Sequence, residues 1–209
     1  MALRLYGITP ADAHHTAPEG TGTLLAIALV PFRDLSAVAS EQNAFTLDEP
    51  TPADLARHRS IVDALFRRTA VLPAPVGVLF RTPDVLKRWM ELHYVSLTGA
   101  LEFVEDRAVA RVHTRRADGK QDDVESGSDL AADASEVFRA LRRKSVASVP
   151  LRLEHMTGVV LSASFLVERD LWKEFESAVD EQQDAHHHLH FELTGPWAPY
   201  DFVRMQFGG

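Results

Sequence analysis

The chain has 209 residues, with 22 Lys and Arg against 30 Asp and Glu for a formal net charge of −8, and it has no cysteine. A hydrophobic fraction of 45 % and a charged fraction of 25 % are those of a globular protein and exclude a wholly disordered, collagen-like or membrane-spanning chain. The acidic balance argues against a broad nucleic-acid footprint, and the lack of Cys excludes a disulfide framework, a thiolate metal site and a Cys nucleophile.

Leu3 to Ile8 alternates and is rich in strand formers, which predicts a first strand ending at Thr9-Pro10. No long apolar run follows Met1 as in a targeting signal. The longest apolar stretch, Leu24 to Phe32, is shorter than the ~20 residues of a membrane helix. A soluble cytoplasmic protein with no membrane partner is the expectation. Ala11 to Gly22 reads as a loop, Thr23 to Pro31 as a buried strand, Asp34 to Ala39 as a short helical turn and Asn43 to Pro50 as a connection. Thr51-Pro52 opens a helix with a capping hydroxyl and a proline at its first position. Leu55, Val62, Leu65 and Phe66 give that helix one apolar face. Leu72 to Pro75 leads into a strand over Val76 to Phe80. Thr82-Pro83 then starts a helix carrying Val85, Leu86, Trp89 and Met90. The order to this point is β-β-α-β, close to a split βαβ arrangement.

Leu101 to His113 reads as one or two strands, and the polar run from Ala117 to Asp129 as an exposed loop. Ser128 is placed to cap a helix carrying Leu130, Ala134, Val137, Phe138 and Leu141, which ends in Arg142-Arg143-Lys144 as the helix dipole favours. Thr157 to Glu168 reads as a strand, Asp170 as the cap of a helix with Leu171, Phe175 and Val179, and His187 to Thr194 as a further alternating strand.

Few residues are arranged for chemistry. The glycines lack the spacing of a dinucleotide or phosphate loop, and no Gly-x-Ser-x-Gly elbow is present. His186, His188 and His190 would share one face of a strand, where neutral imidazoles bind transition metals. Residues two apart on a strand stand roughly 7 Å apart, which is wide for ligands converging at ~2 Å on one ion. A solvated strand start is the simpler reading. His58 borders the apolar face of its helix and reads as a partly buried histidine. No catalytic residue and no cofactor is expected.

The C-terminal stretch Gly195-Pro196-Trp197-Ala198-Pro199-Tyr200-Asp201-Phe202-Val203 is the most unusual in the chain. Its prolines exclude helix and withhold ladder donors, and its aromatics supply large apolar area. Trp197 is expected to be a buried anchor against the second domain. An aromatic surface for a partner is the competing expectation.

This stretch resembles the Gly-Pro-Trp-Pro-Pro-Tyr-x-Phe-Val signature of the gas vesicle synthesis family GvpL/GvpF. The matching positions are Gly195, Pro196, Trp197, Pro199, Tyr200 and Phe202. Leu5-Tyr6-Gly7-Ile8, the segment Asp34 to Ser40, His58, Val71-Leu72-Pro73, Gly77 and Ala163-Ser164-Phe165-Leu166-Val167 also resemble the family pattern, in the right order. Ala198 departs from the usual second proline, and Val76 stands where an aromatic normally precedes Gly77. The resemblance implies an α+β fold of two small ferredoxin-like (split βαβ) domains, the second modified. The boundary is set at residues 1–83 and 84–209, the latter carrying the Pro- and aromatic-rich tail. It further implies a non-enzymatic accessory protein of gas vesicle formation, associated with the vesicle. Its partners would be the small hydrophobic shell protein and other gas vesicle accessory proteins. No catalytic set belongs to the family, so the matching residues are a structural signature. A ferredoxin-like small-molecule enzyme or sensor, and a metal-binding module on His186, His188 and His190, are the alternatives.

Overall fold

The computed structural model describes residues 2–13, 27–42, 45, 49–117, 126–152, 159–203 and 205. The loop expected over 11–22, the start of the strand expected at Thr23, the connection over 43–50 and the polar loop over 117–129 fall wholly or largely outside the described residues.

The apolar runs near the start of the chain form strands β1 (Ala2–Pro10), β2 (Ile27–Phe32) and β3 (Leu35–Gln42). β3 lies between β2 and β1 and is antiparallel to both. Two short strands, β4 (Leu72–Pro73) and β5 (Leu79–Phe80), pair with the other edge of β1. In the segment Asp34 to Ala39, residues 35–39 are therefore strand and not a helical turn. Arg33, at φ 54°, reverses the chain, and burial of Leu35, Ala37, Val38 and Ala39 between two neighbouring strands overrides a weak local helical preference. The strand expected over 76–80 shrinks to Leu79-Phe80, because Gly77 takes a left-handed φ of 91°.

Gly7 sits where β1 shifts register against β3. A Cβ there would lie 2.8 Å from the Leu72 carbonyl oxygen, so the close approach of β4 requires glycine. Helix α1 (Pro52–Phe66) begins where Thr51-Pro52 predicts. The Thr51 Oγ1 accepts from the Asp54 N–H at 3.2 Å while the Asp54 carboxylate accepts from the Thr51 N–H at 3.1 Å, a reciprocal cap. Asp54 also accepts from Arg4 of β1. The Thr51 hydroxyl first, and Arg4 second, hold the Asp54 carboxyl down at about 2.

Helices α2 (Pro83–Leu92) and α3 (Tyr94–Val104) follow. The first part of the strand expected over 101–113 is thus helical, since Leu97, Leu101 and Val104 recur at helical spacing and are buried together. They join Leu86, Trp89 and Met90 in one core with Leu3, Leu5, Ile8, Val30, Leu35 and Leu72. That packing, with Val203 and Met205 against the same core, assigns Met1–Glu105 and Ala198–Gly209 to one compact unit and Asp106–Trp197 to a second. The boundary drawn at residue 83 from the sequence falls inside the first unit, and the chain returns to that unit at Ala198. At the β2–β3 turn the Arg33 guanidinium lies 4.6 Å from the Tyr94 ring centre, and the Tyr94 hydroxyl donates to Asp34 at 2.6 Å. That hydrogen bond raises the phenol pKa above its ordinary value.

The second unit carries β6 (Arg107–Arg116), α4 (Ser126–Arg142), β7 (Ala147–Pro150), β8 (Val159–Glu168), α5 (Trp172–Ala185) and β9 (Leu189–Trp197). Its sheet runs β7-β8-β6-β9, antiparallel throughout. α4 links β6 to β7 and α5 links β8 to β9. Two helix starts differ from expectation. α4 begins at Ser126 and not after Ser128, and a short 3-10 turn over Arg169–Leu171 precedes α5, so Asp170 is not its cap. Ala110 and Val112 of β6, Ala163, Phe165 and Val167 of β8 and Phe191 of β9 meet Val137 and Leu141 of α4 and Phe175 and Val179 of α5. Phe165 stands between the rings of Phe138 and Phe175, at 5.8 and 5.4 Å. The fold is a mixed α/β arrangement with two antiparallel sheets and, among the described residues, five α-helices. None of these helices is long and apolar enough to cross a membrane.

Candidate functional site

The signature residues at the C-terminus divide between the two units. Gly195, Pro196 and Trp197 end β9 in the second, whereas Pro199, Tyr200 and Phe202 belong to the first. Gly195 has φ 136°, and a Cβ there would lie 2.6 Å from the Val109 carbonyl oxygen and 2.8 Å from Cη2 of Trp172. Only glycine fits. Along β9, Phe191 and Leu193 oppose Thr114 and Val112 and face the helices. One extra residue then enters β9, because Arg111 opposes Thr194 but Val109 opposes Trp197. A single-residue slip moves every later side chain to the other face of a sheet.

Trp197 is consequently no buried anchor. It is 39 % exposed, with its indole N–H donating to the Thr194 hydroxyl at 3.2 Å. Ala198 and Pro199, next along the chain, are the buried residues of the segment. Tyr200 N–H donates to the Ala198 carbonyl at 2.8 Å and Phe202 N–H to that of Pro199 at 3.1 Å, which folds the tail into a turn. Trp197→Ala should therefore cost about 1–2 kcal/mol, well under the ~3–5 of a fully buried Trp. The melting temperature should fall by about 2–8 °C, as read by calorimetry. A larger fall would restore the buried-anchor reading.

Beyond the turn, Phe202, Val203 and Met205 line a cleft of about 410 Å³ in the first unit with Trp89, His93 and Leu97. Leu92 and Val95, at the junction of α2 and α3, are 76 % and 81 % exposed.

The histidine cluster does not lie on one strand. His186 is the C-terminal cap of α5, His187 and His188 lie in a turn, and β9 begins at Leu189. His186 is buried and donates from Nδ1 to the Gln182 carbonyl at 3.0 Å. His188 Nε2 meets Asp133 of α4 at 2.7 Å. The rings of His186 and His188 are 6.2 Å apart, and His190 stands exposed opposite Arg115. His186 and His188 therefore bond to different groups, and no group of three or more potential ligands converges among the described residues. Asp133 could not be linked to His188 from the sequence, since 55 residues separate them.

A second pairing missed by the sequence is Ser162 Oγ with His113 Nδ1 at 2.9 Å, on neighbouring strands β8 and β6. Glu192 of β9 lies opposite His113 and pairs with Arg115 at 3.6 Å. Ser162 is buried within its strand, so this serine–histidine pair ties strands together and does not present a nucleophile. His58 is buried on α1, with the Tyr6 ring 5.5 Å away. Neither of its ring nitrogens has a hydrogen-bond partner. Burial lowers its pKa, and Arg4 acts in the same sense. The Ala74 backbone acts in the opposite sense without reaching hydrogen-bond geometry.

The fold and these clusters define a two-unit α/β protein whose polar contacts among the described residues hold helices, turns and strands together. The family model described as Gas vesicle synthesis protein GvpL/GvpF matches residues 2–121 and 109–204. Gas vesicle protein F2 of Halobacterium salinarum is 30 % identical over 211 aligned positions, which cover 100 % of this chain and 88 % of that one. The crystal structure of gas vesicle protein GvpF from Anabaena sp. PCC7120 superposes with a TM-score of 0.81 at 15 % identity, covering 100 % of this chain and 98 % of that one. That of gas vesicle protein GvpF from Microcystis aeruginosa gives 0.75, also at 15 % identity, over 98 % and 99 % of the two chains. The chain belongs to the gas vesicle synthesis protein GvpL/GvpF family.

Proposed function

We propose that the protein is a non-enzymatic accessory factor of gas vesicle formation, an assembly factor or minor vesicle component in the cytoplasm. It acts by contact with the small hydrophobic shell protein and with other gas vesicle proteins. The observation that carries this reading is the family match, which extends over both units and not over one of them. The strand order supports a ferredoxin-like reading of each unit. The second has the β-α-β-β-α-β connectivity of that motif, and the first has its antiparallel order β2-β3-β1-β4 with α1 between β3 and β4.

The test is removal of the protein from a host in which it is the sole member of its family. Vesicle yield and buoyancy should fall and return on complementation, and the shell protein should co-purify with the complementing chain. Unchanged yield, or restored yield without any association with a vesicle protein, would refute the reading.

A further inference from the structure

His58 is fully enclosed on the inner side of α1, yet it makes none of the bonds that normally compensate a buried imidazole. Among the described residues, Arg4 and Tyr6 of β1 face it, and Asp54 stands one turn back on its own helix. The Ala74 backbone, just after β4, also lies toward the ring. The side chains among these are already engaged, and the Ala74 backbone offsets the cost of burial only in part. The Tyr6 hydroxyl is engaged with Ser40 at 2.9 Å. The Asp54 carboxylate already accepts from Arg4 and from both the N–H and the hydroxyl of Thr51. Arg4 is itself a cation, with a buried Nε that has no hydrogen-bond partner. A second positive charge here would be desolvated, unpaired and beside a like charge.

Beside His58, α1 buries Ile61, Val62 and Phe66. Ile61 packs with Tyr6 and Val38, with Ile27 and Leu65 at the edge. The larger core of the unit contains no α1 residue. Among the described residues, the core that α2 and α3 build with the sheet is thus made without α1 side chains.

We propose that His58 is a pH-sensitive latch that holds α1 on the first sheet only while its ring is neutral. With its folded value depressed below the ordinary 6.5, the detached helix takes up a proton first. Docking of α1 is thus complete above about pH 6.5 and weakens as pH falls below it. Release would uncover Ile61, Val62, Tyr6 and Val38, an apolar surface that the closed form hides.

Amide hydrogen exchange on the full chain at pH 7.5 and 5.5, corrected for the intrinsic pH dependence of exchange, tests the latch. Protection over residues 52–66 should fall by up to about tenfold for each pH unit between the ordinary and the depressed value. Protection in β1, β3 and the second unit should hold. In His58→Phe and in His58→Gln the acid-induced loss over α1 should vanish. Three results would overturn the proposal: equal α1 protection at both pH values, a loss spread evenly over the first unit, or a loss that persists in both variants. His58→Gln serves alone if His58→Phe does not fold.

Discussion

Gly195→Ala should lower the thermal midpoint by roughly 6–12 °C, the largest effect expected of so small a change. The φ of 136° lies where only glycine is at ease, and an L-residue held there costs about 1–3 kcal/mol. The added methyl would also overlap the Val109 carbonyl oxygen at 2.6 Å and the Trp172 ring at 2.8 Å. A carbonyl fixed in the β6 ladder cannot step aside as a flexible side chain would. About 3 kcal/mol in total is a large share of the ~5–15 that stabilise a domain, and it converts to that shift at 2–4 °C per kcal/mol. Differential scanning calorimetry is the measurement, with loss of exchange protection in β6 and β9 as the local signature. A midpoint within about 2 °C of the parent would mean that the strand end can relax.

Phe165→Ala should cost about 3–5 kcal/mol, because it empties the centre of the second core. Phe165 is wholly buried between Phe138 and Phe175. Neither ring can swing into the space without leaving its own helix contacts. Phe165→Leu, which keeps most of the volume, should cost under about 1.5 kcal/mol. Urea midpoints of the two variants decide the matter. Similar losses for both would show that the site collapses around the change.

Local rules were enough for the helix starts at Thr51 and Thr82 and for the alternating runs of β1 and β8, since caps and periodicity are properties of neighbouring residues. They failed where a distant partner decided. Leu35 to Ala39 has no strong strand pattern and enters β3 because β1 and β2 flank it. Leu101 to Val104 joins a helix because Leu97 precedes it at the right angle for the first core. The C-terminal signature was visible as a motif, and the need for glycine at 195 is now explained by a neighbour 86 positions earlier, Val109. The outward turn of Trp197 was not legible. It follows from one additional residue in a ladder whose register no local pattern records. The same limit hid Asp133 from His188 and Ser162 from His113.

The first unit is interrupted. Its chain leaves after Glu105, the whole second unit intervenes, and Ala198 onward comes back to the first core, where Val203 and Met205 pack. During synthesis the unit begun first is then the last to be finished. The ribosome makes every strand and helix of the inserted unit before it adds the closing segment of the first one. The inserted unit has all its own pieces in one continuous stretch, whereas its host waits for a distant one with an apolar surface still open. Protein that contacts the nascent chain in that interval meets a different molecule from the completed one.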